Sequence, residues 1–352
     1  MKIGMMTLWN AANGPSIHAE LIGREWVRMG HKLIVFSAIR HPDARPTSQV
    51  DEDYVIRHFS VSEVEPVTKA DYFDPKPLLE EDYEVFIAQN VERLPTKELL
   101  DIFPSIKRKA VTVMVVHEGG PSKDPLYYKF DWDAIVCFDD RYVEFISRYF
   151  PREIIHVIPY PCHPLKLGDK NEARKKLDLP MDKKIVFSFG FRVEDILPIL
   201  PAIREVASKY PLIYLIVANP GGNIDALREI VDRYPFIELR VSALPLEELY
   251  EYLHASDALV IYRESSKYKA VLSSTVCLTI GSGCPILFKE SNFVEYHGDE
   301  IIKYKNLEDL KRKMMEVFEG KFDLNKVIDF LRERNSAAIA RRYIELFHKL
   351  LG

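Results

Sequence analysis

The sequence predicts an α/β protein with two Rossmann-like, doubly wound domains that face each other across a cleft. The first observation is length, because 352 residues exceed what one ordinary core takes up. The second is a series of short apolar runs without alternation, as buried parallel strands have, separated by helical segments. The third is a polar, charged stretch at 163–184, after which the same series starts again.

The first half opens on a β-α-β unit. KIGMMTL is predicted to be a strand and HKLIVFS the next one, with a helix between them whose apolar residues share one side. Gly30 suits the C′ position of that helix. Further strands are predicted in YEVFIAQ (83–89), KAVTVMVVH (109–117), DAIVCFD (133–139) and IIHVIPYP (154–161). We therefore expect an N-terminal domain over residues 1–165.

The same alternation of strands and helices returns in the second half. Strands are predicted in KIVFSFG (184–190), LIYLIVAN (212–219), FIELRVS (236–242), ALVIYR (258–263) and PILFK (285–289). We therefore expect a second domain over residues 166–330. Residues 331–352 are predicted to form a closing helix with one buried face, because apolar residues recur there at helical spacing: Ile339, Tyr343, Ile344, Phe347 and Leu351.

Composition limits the classes of function. A net charge of −5 and a pI near 6.1 disfavour a general nucleic-acid coat. The cysteines are dispersed and form no CxxC pair, so neither a zinc site nor a disulfide framework is indicated. There is no basic-then-apolar leader and no apolar run of about 18 residues, so we expect a cytoplasmic protein. The many Lys, Glu, Arg and Ile residues favour a thermophilic source.

Two loops of the first half carry candidate site residues. Gly14 and Ser16 lie between the first strand and the first helix, where open α/β sheets bind phosphorylated ligands, and His18 lies just inside that helix. The loop lacks GxGxxG, which argues against a dinucleotide fingerprint. His117 and Glu118 follow a buried strand, whose carboxyl end faces the predicted cleft. The alternative interpretations are a plain turn with a helix cap and a structural histidine.

Positive charges and hydroxyls follow two strands of the second half. Arg192 lies just past the first of them, where a guanidinium can bind a diphosphate in bidentate fashion. Lys267 and Lys269 lie in the loop after ALVIYR, and Ser273, Ser274 and Thr275 begin the next helix. Hydroxyls and free N–H groups at a helix start favour an anion. The alternative interpretations are a solvated surface arginine and a solvated lysine loop.

Together these stretches resemble the retaining, nucleotide-sugar-dependent glycosyltransferases of the GT-B fold, the glycogen-synthase and mannosyltransferase-like group. NGPSIHAELIGREWVRMGHKLIVFS resembles that family's opening loop, helix and second strand. LPLEELYEYLHASDALVIYRES resembles the approach to its donor site. GSGCPILFKESNFVEY is similar to its Gly-x-Pro step, with Glu295 where the family often has Glu. SAAIARRYIELFHKLL resembles the closing helix that returns to the first domain.

The resemblance implies transfer of a hexosyl group from a nucleotide diphosphate sugar to an unidentified hydroxyl acceptor, with retention. It implies no cofactor beyond the sugar nucleotide, no essential metal and no nucleic acid, and it allows peripheral contact with a membrane. His117 and Arg192 are then the expected catalytic residues, with His18 and Glu118 on the acceptor side. The expected donor-binding residues are Gly14, Ser16, Arg192, Lys267, Lys269, Ser273, Ser274, Thr275 and Glu295.

The sequence departs from the family's pattern at two places. Ala270 and Leu278 stand where many members have a pair of glutamates, the second of which binds the nucleotide ribose. Glu194 and Asp195 stand where a lysine that pairs with the arginine is expected. Two alternatives therefore stay open: a catalytically inactive protein of this fold that binds or regulates, and a sugar-nucleotide epimerase.

Overall fold

A computed structural model describes residues 1–40, 49–64, 67–190, 192, 195–222 and 224–352. Within these ranges the chain forms two β-sheets, one from each half of the sequence, and helices flank both. Glu194, one of the residues at which the sequence departs from the family pattern, lies outside the described residues. No helix in the described ranges combines the length and the apolar character needed to span a bilayer.

The first sheet has eight strands in the order β4-β3-β2-β1-β5-β6-β7-β8. All neighbours run parallel except the β3–β4 pair at one edge. Its strands are β1 (Lys2–Thr7), β2 (Lys32–Ala38), β3 (Val55–Val64), β4 (Val67–Phe73), β5 (Val85–Gln89), β6 (Val111–Val115), β7 (Ala134–Cys137) and β8 (Ile155–Val157). Its helices are α1 (Gly14–Arg28), α2 (Lys76–Glu80), α3 (Thr96–Lys107) and α4 (Asp140–Ile146).

The second sheet has six strands, all parallel, in the order β11-β10-β9-β12-β13-β14. Its strands are β9 (Lys184–Gly190), β10 (Leu212–Ala218), β11 (Ile237–Val241), β12 (Ala258–Ile261), β13 (Ile286–Lys289) and β14 (Ile302–Tyr304). The helices of this half are α5 (Lys170–Lys176), α6 (Leu200–Ala207), α7 (Ile224–Val231), α8 (Leu246–Ala255), α9 (Ser274–Thr279), α10 (Leu307–Phe318), α11 (Leu324–Arg334) and α12 (Ser336–Leu351).

The central strands are apolar because helices cover both of their faces. β5 is buried along its whole length, and in β1 only Lys2 is exposed. Such strands show a continuous apolar run in the sequence. The β3–β4 hairpin did not emerge from the sequence, because VIRHFSVSEV and VTKADYF mix polar and apolar residues at an edge of the sheet. The strand predicted over 154–161 is shorter, Ile155–Val157.

The last helix lies on the first half of the molecule. The indole Nε1 of Trp26 in α1 donates to the carbonyl oxygen of Ala340 in α12, at 3.1 Å. Ile339, Tyr343 and Phe347 are fully buried in this contact face. Leu351 was predicted on the same face, but it lies at the end of the helix and is 42% exposed.

The two connections between the halves pair with each other. The backbone N–H of Cys162 donates to the oxygen of Arg334 at 2.7 Å, and that of Ser336 donates to the oxygen of Cys162 at 2.8 Å. These bonds form a parallel β-bridge between Cys162 and Asn335. Both crossings therefore run side by side at one place.

Candidate active site

A cavity of about 770 Å³ lies between the two halves. One wall is the loop after β1, residues 10–14, with the first turns of α1. The opposite wall consists of the carboxyl ends of β9, β10 and β12 and the start of α9. Carboxyl ends of parallel strands are the usual place for ligands in open α/β sheets. The cavity is thus where both sheets present their binding edges.

The loop after β1 is held by a buried carboxylate. Glu20 accepts from the backbone N–H of Asn10 at 3.0 Å and from the hydroxyl of Ser16 at 2.7 Å. The Ser16 hydroxyl in turn accepts from the N–H of Ala11, and Asn13 caps the helix by accepting from the N–H of Ser16. Ser16 is fully buried, so the structure places it behind the loop rather than in the cavity wall.

Glu20 was not singled out in the sequence, although it lies one helical turn after Ser16. It lines the cavity together with Arg24, whose guanidinium is 3.1 Å from its carboxylate. Burial raises the pKa of Glu20, and the charge of Arg24 opposes that rise. Arg24 also binds Glu52 at 2.7 Å. The cavity wall of the first half is therefore polar and charged.

Gly14 lies opposite the start of α9. A Cβ built on Gly14 would be 3.5 Å from the side chain of Ser274, and Tyr160 donates its hydroxyl to the Gly14 oxygen at 2.6 Å. Ser273 caps α9, since its hydroxyl accepts from the N–H of Val276 at 3.4 Å. The cavity is lined by Ser273, Ser274 and Thr275. Ser273 is buried and its hydroxyl serves the helix cap, whereas Ser274 and Thr275 are half-buried. The hydroxyls that face a ligand are therefore those of Ser274 and Thr275.

Two arginines line the second-half wall. Arg192 is exposed, and its Nε lies 3.1 Å from a carboxylate oxygen of Asp195. Arg263 is half-buried, and its guanidinium carbon lies 4.5 Å from the ring centroid of Phe293. Burial, and then the charge of Arg192, lower the pKa of Arg263. Arg263 was not predicted, although it ends the run ALVIYR and lies two residues past β12, as Arg192 lies two residues past β9.

Besides Ser16, three predicted donor-binding residues lie outside the cavity lining. The ammonium of Lys269 forms an ion pair with Glu144, and the carboxylate of Glu295 lies 3.0 Å from the guanidinium of Arg141. Lys267 is exposed and lies over the ring of Tyr268 at 5.1 Å. The segment that carries the lysines folds toward the first half, where the N–H of Ala270 donates to the oxygen of Gly119. Lys269 therefore joins the two halves instead of facing the cavity, whereas Lys267 contacts only its own segment among the described residues.

His18 and His117 belong to a cluster of rings behind the cavity, in which His18 is fully buried and His117 is half-buried. The two rings pack edge to face with centroids 5.1 Å apart. Nε2 of His18 lies 3.2 Å from the hydroxyl of Tyr343, and Nε2 of His117 lies 2.8 Å from the amide oxygen of Gln89. Burial lowers the pKa of His18 to about 3, and burial with the neighbouring His18 lowers that of His117 well below its usual value. Both rings are neutral at pH 7.

Glu118 is an internal anchor of its loop. Its carboxylate accepts from the hydroxyl of Tyr127 at 3.1 Å, from the N–H of Glu92 at 3.2 Å and from the N–H of His117 at 3.0 Å. Burial, aided by the charge of Glu92, raises the pKa of Glu118 to about 7. The structure therefore places Glu118, like His18, away from the cavity surface.

The site has no evident metal centre. Across the described ranges, no group of three or more His, Cys, Asp and Glu side chains is arranged to hold a metal ion. Four charged residues of the cavity wall form ion pairs with one another, Glu20 with Arg24 and Arg192 with Asp195.

The architecture matches that of known proteins over the whole chain. A glycosyltransferase from Rickettsia africae superposes with a TM-score of 0.68, covering 99% of this chain and 98% of its own, at 13% sequence identity. The fold is GT-B. Two further GT-B structures each cover 99% of this chain. Sucrose-phosphate synthase from Thermosynechococcus elongatus superposes with a TM-score of 0.68 at 13% sequence identity, over 99% of its own chain. HepE from Anabaena, in complex with UDP, superposes with a TM-score of 0.67 at 12% identity, over 100% of its own chain.

The likeness of the three-dimensional structures confirms the predicted fold class and the resemblance to GT-B glycosyltransferases at the level of the fold. No protein-family model matches the chain. In GT-B terms, the described cavity occupies the interdomain cleft, with the loop after β1 on one side and the ends of β9, β10 and β12 on the other.

Proposed function

We propose that this protein is a glycosyltransferase that moves a sugar from a nucleotide diphosphate sugar to a hydroxyl acceptor. The observation that carries the proposal is the interdomain cavity of about 770 Å³, whose second-half wall combines a guanidinium with free hydroxyls. That wall suits a diphosphate, and the opposite wall leaves room for an acceptor. The Anabaena protein of the same fold was crystallised with UDP and also with UDP-glucose, which supports a sugar nucleotide as the donor.

The donor diphosphate would lie between Arg192 and the hydroxyls of Ser274 and Thr275. Negative charge builds up on the diphosphate as the sugar leaves, and fixed positive charges and hydrogen-bond donors stabilise that charge in a site shielded from water. This chemistry needs no metal ion if enough donors are present. We therefore propose transfer without an essential metal, and retention at the anomeric carbon, as the family resemblance implies.

The acceptor would lie against the first-half wall. Asn10, Glu20 and Arg24 line this wall, so it favours an acceptor with polar groups beside the reacting hydroxyl. His117 and His18 lie behind it as neutral rings, and their part is to support the wall rather than to exchange protons with the acceptor.

A protein that binds sugar nucleotides without turnover is the second candidate. Leu278 lines the cavity where the family resemblance implies a ribose-binding glutamate, so one donor contact of active members is replaced by an apolar side chain. Weak donor binding or an altered donor pose would follow from that replacement.

The products distinguish these candidates. The protein is incubated with UDP-, GDP-, ADP- and dTDP-sugars, each with a set of hydroxyl acceptors, and nucleotides and glycosides are measured by mass spectrometry. Nucleoside diphosphate together with a glycoside supports transfer, and the anomeric configuration of that glycoside by NMR tests retention. Diphosphate released without an acceptor points to an epimerase or a hydrolase. A rise in melting temperature with a nucleotide but without products identifies the binding protein.

A further inference from the structure

Arg263 is a charged residue of the cavity wall. In the parts of the chain that the structure describes, its guanidinium makes neither a hydrogen bond nor an ion pair; it stacks on the ring of Phe293, and the charge of Asp195 acts on it from a distance. A guanidinium has five N–H donors, and leaving such donors unpaired in a half-buried position costs free energy. The arrangement is therefore suited to an acceptor that arrives with a ligand.

The topology of the second sheet brings Arg263 next to Arg192. β9 and β12 are hydrogen-bonded neighbours, and each arginine lies two residues beyond the end of its strand. Asp195 neutralises Arg192 in part, at 3.1 Å, and its charge also raises the pKa of Arg263, whereas burial and then the charge of Arg192 lower it. One carboxylate beside two guanidinium groups leaves a net positive charge, which favours the binding of a further anion.

Phe293 fixes the position of Arg263. The ring lies 4.5 Å from the guanidinium carbon, within the range of a cation–π contact. The carbonyl oxygen of Phe293 also accepts from the N–H of Ser273 at 3.1 Å, which ties the ring to the start of α9. The guanidinium is thus held in place before any ligand binds, so little conformational entropy is lost on binding.

We propose that Arg263 and Arg192 together bind the diphosphate of the donor, and that Arg263 supplies the second positive charge for the leaving group. This inference rests on the proposed function. In the transfer, the bond between the anomeric carbon and the β-phosphate oxygen breaks, and its electron pair stays on that oxygen. The acceptor oxygen forms the new bond to the anomeric carbon, and its proton passes to an oxygen of the departing diphosphate. Arg263 keeps its own protons and stabilises the charge on the departing phosphate.

Inorganic pyrophosphate and UDP are the probes that test this assignment, because pyrophosphate binding does not depend on the base or the sugar. Calorimetry compares wild type with Arg263→Gln, Arg263→Lys and the control Lys267→Gln, an exposed cation a few residues away that does not line the cavity. We expect Arg263→Gln to lower the affinity for pyrophosphate and for UDP by about ten- to hundredfold. Arg263→Lys keeps the charge but not the planar fork, so it should recover part of the loss. Lys267→Gln and the binding of uridine should be unchanged.

Thermal unfolding without ligand separates a binding role from a structural one. Removing an unpaired cation next to Arg192 should not lower the melting temperature, so Arg263→Gln should keep that of wild type and lose most of the rise caused by UDP. A variant that melts lower and binds both probes as wild type does would make Arg263 a structural residue and overturn the proposal.

The outcomes also separate this inference from the proposed function. Sugar transfer by wild type with equal kcat and diphosphate affinity in Arg263→Gln would overturn the role of Arg263 and leave the transferase intact. Pyrophosphate binding that depends on Arg263, without transfer from any sugar nucleotide, would support the anion site and count against the transferase. Wild-type protein that binds neither probe at millimolar concentration would overturn the anion site itself.

Discussion

Burial decides the charge state of the polar side chains that follow β6. His117 and Glu118 are consecutive in the sequence, yet burial lowers the pKa of the imidazole and raises that of the carboxyl to about 7. Both shifts have the same origin, since a low-dielectric surrounding favours the neutral form of each group. At neutral pH the loop therefore holds an uncharged ring and a carboxyl that is protonated about half of the time.

Glu118 should make the folded state less stable as the pH rises. Its pKa of about 7 lies above the usual 4.5, so between these values the folded state keeps a proton that the unfolded state has lost. The contribution of Glu118 to stability is then fully present below about pH 4.5 and is lost as the pH rises through about 7. Glu118→Gln should make this fall shallower, by up to about 1 kcal/mol per pH unit. Urea unfolding at pH 5, 6 and 7 measures how the free energy of unfolding changes with pH, and Glu153→Gln, at an exposed position, is the control. An unchanged slope in Glu118→Gln would contradict the expectation.

Arg192 should contribute to binding more than to stability. Its side chain is half-exposed and pairs with Asp195, and an exposed pair is worth about 0–1 kcal/mol. We expect Arg192→Ala to weaken the binding of nucleoside diphosphate by about 1.5–3 kcal/mol and that of the nucleoside much less. Calorimetry with UDP and uridine measures both, with the exposed Arg233→Ala as control. Equal affinity for UDP in wild type and Arg192→Ala would remove Arg192 from the site.

At the scale of elements, α12 is part of the first half in space although it comes last in the sequence. Its buried face packs on α1, and Tyr343 reaches the ring of His18 in the cluster behind the cavity. The helix therefore supports the same element whose first turns form a wall of the cavity. Damage to this contact should affect both stability and ligand binding.

Phe347 and Leu351 lie one turn apart on α12 and form a matched pair for testing this contact. Phe347 is fully buried and packs against Trp26 with ring centroids 5.5 Å apart, whereas Leu351 is 42% exposed. We expect Phe347→Ala to lower the free energy of unfolding by about 3–5 kcal/mol, the usual cost of deleting a buried aromatic ring. Leu351→Ala should cost less than about 1 kcal/mol. Similar losses in chemical denaturation of the two variants would contradict the packing described.

The sequence predicted the elements that are apolar throughout and missed those that are not. β1, β5 and β9 were evident as continuous apolar runs, because helices cover them on both faces. β3 and β4 were not, because an edge hairpin is only partly covered and carries polar residues between apolar ones. Hydrophobic periodicity reflects which faces of an element are packed against the rest of the protein. It therefore does not identify a strand that is only partly packed.

The candidate site was predictable to the extent that it follows strand ends. Gly14, Arg192 and the stretch Ser273–Thr275 all border the cavity, as expected from the carboxyl ends of parallel strands. Lys267 and Lys269 do not border the cavity. The direction of a loop beyond its first residues depends on contacts with the other half, such as the ion pair of Lys269 with Glu144. A position just past a strand end was thus a better guide to the cavity lining than a positive charge alone. Arg263, two residues past β12, has such a position.

At the scale of the whole molecule, polar contacts join the two halves. Arg141 binds Glu295, Lys269 binds Glu144, and the Gly119 oxygen accepts from the N–H of Ala270. Most of these contacts are partly exposed, and polar interfaces of this kind permit relative domain motion. The chain crosses between the halves at Cys162 and Asn335, so we expect any such motion to take place about this pair.

Nucleotide binding should therefore make the molecule more compact in solution. We expect small-angle scattering to show a smaller radius of gyration with saturating UDP than without it, because an anion between the halves favours their approach. Glu144→Lys replaces the pair with Lys269 by repulsion, and it should enlarge the unliganded radius. Glu153→Lys makes the same charge change at another exposed position and should not. A radius that is identical in all these states would indicate a cleft that is already closed.

The contact between α12 and α1 also affects how the chain folds as it is made. The first half cannot cover Trp26 until residues 336–351 have left the ribosome, after the whole second half has been synthesised. Domains generally fold in the order of synthesis, so the second sheet forms while an aromatic face of the first half is still exposed to solvent. We therefore expect the nascent protein to expose an apolar surface during that period, and the closing helix to cover this surface once residues 336–351 are available.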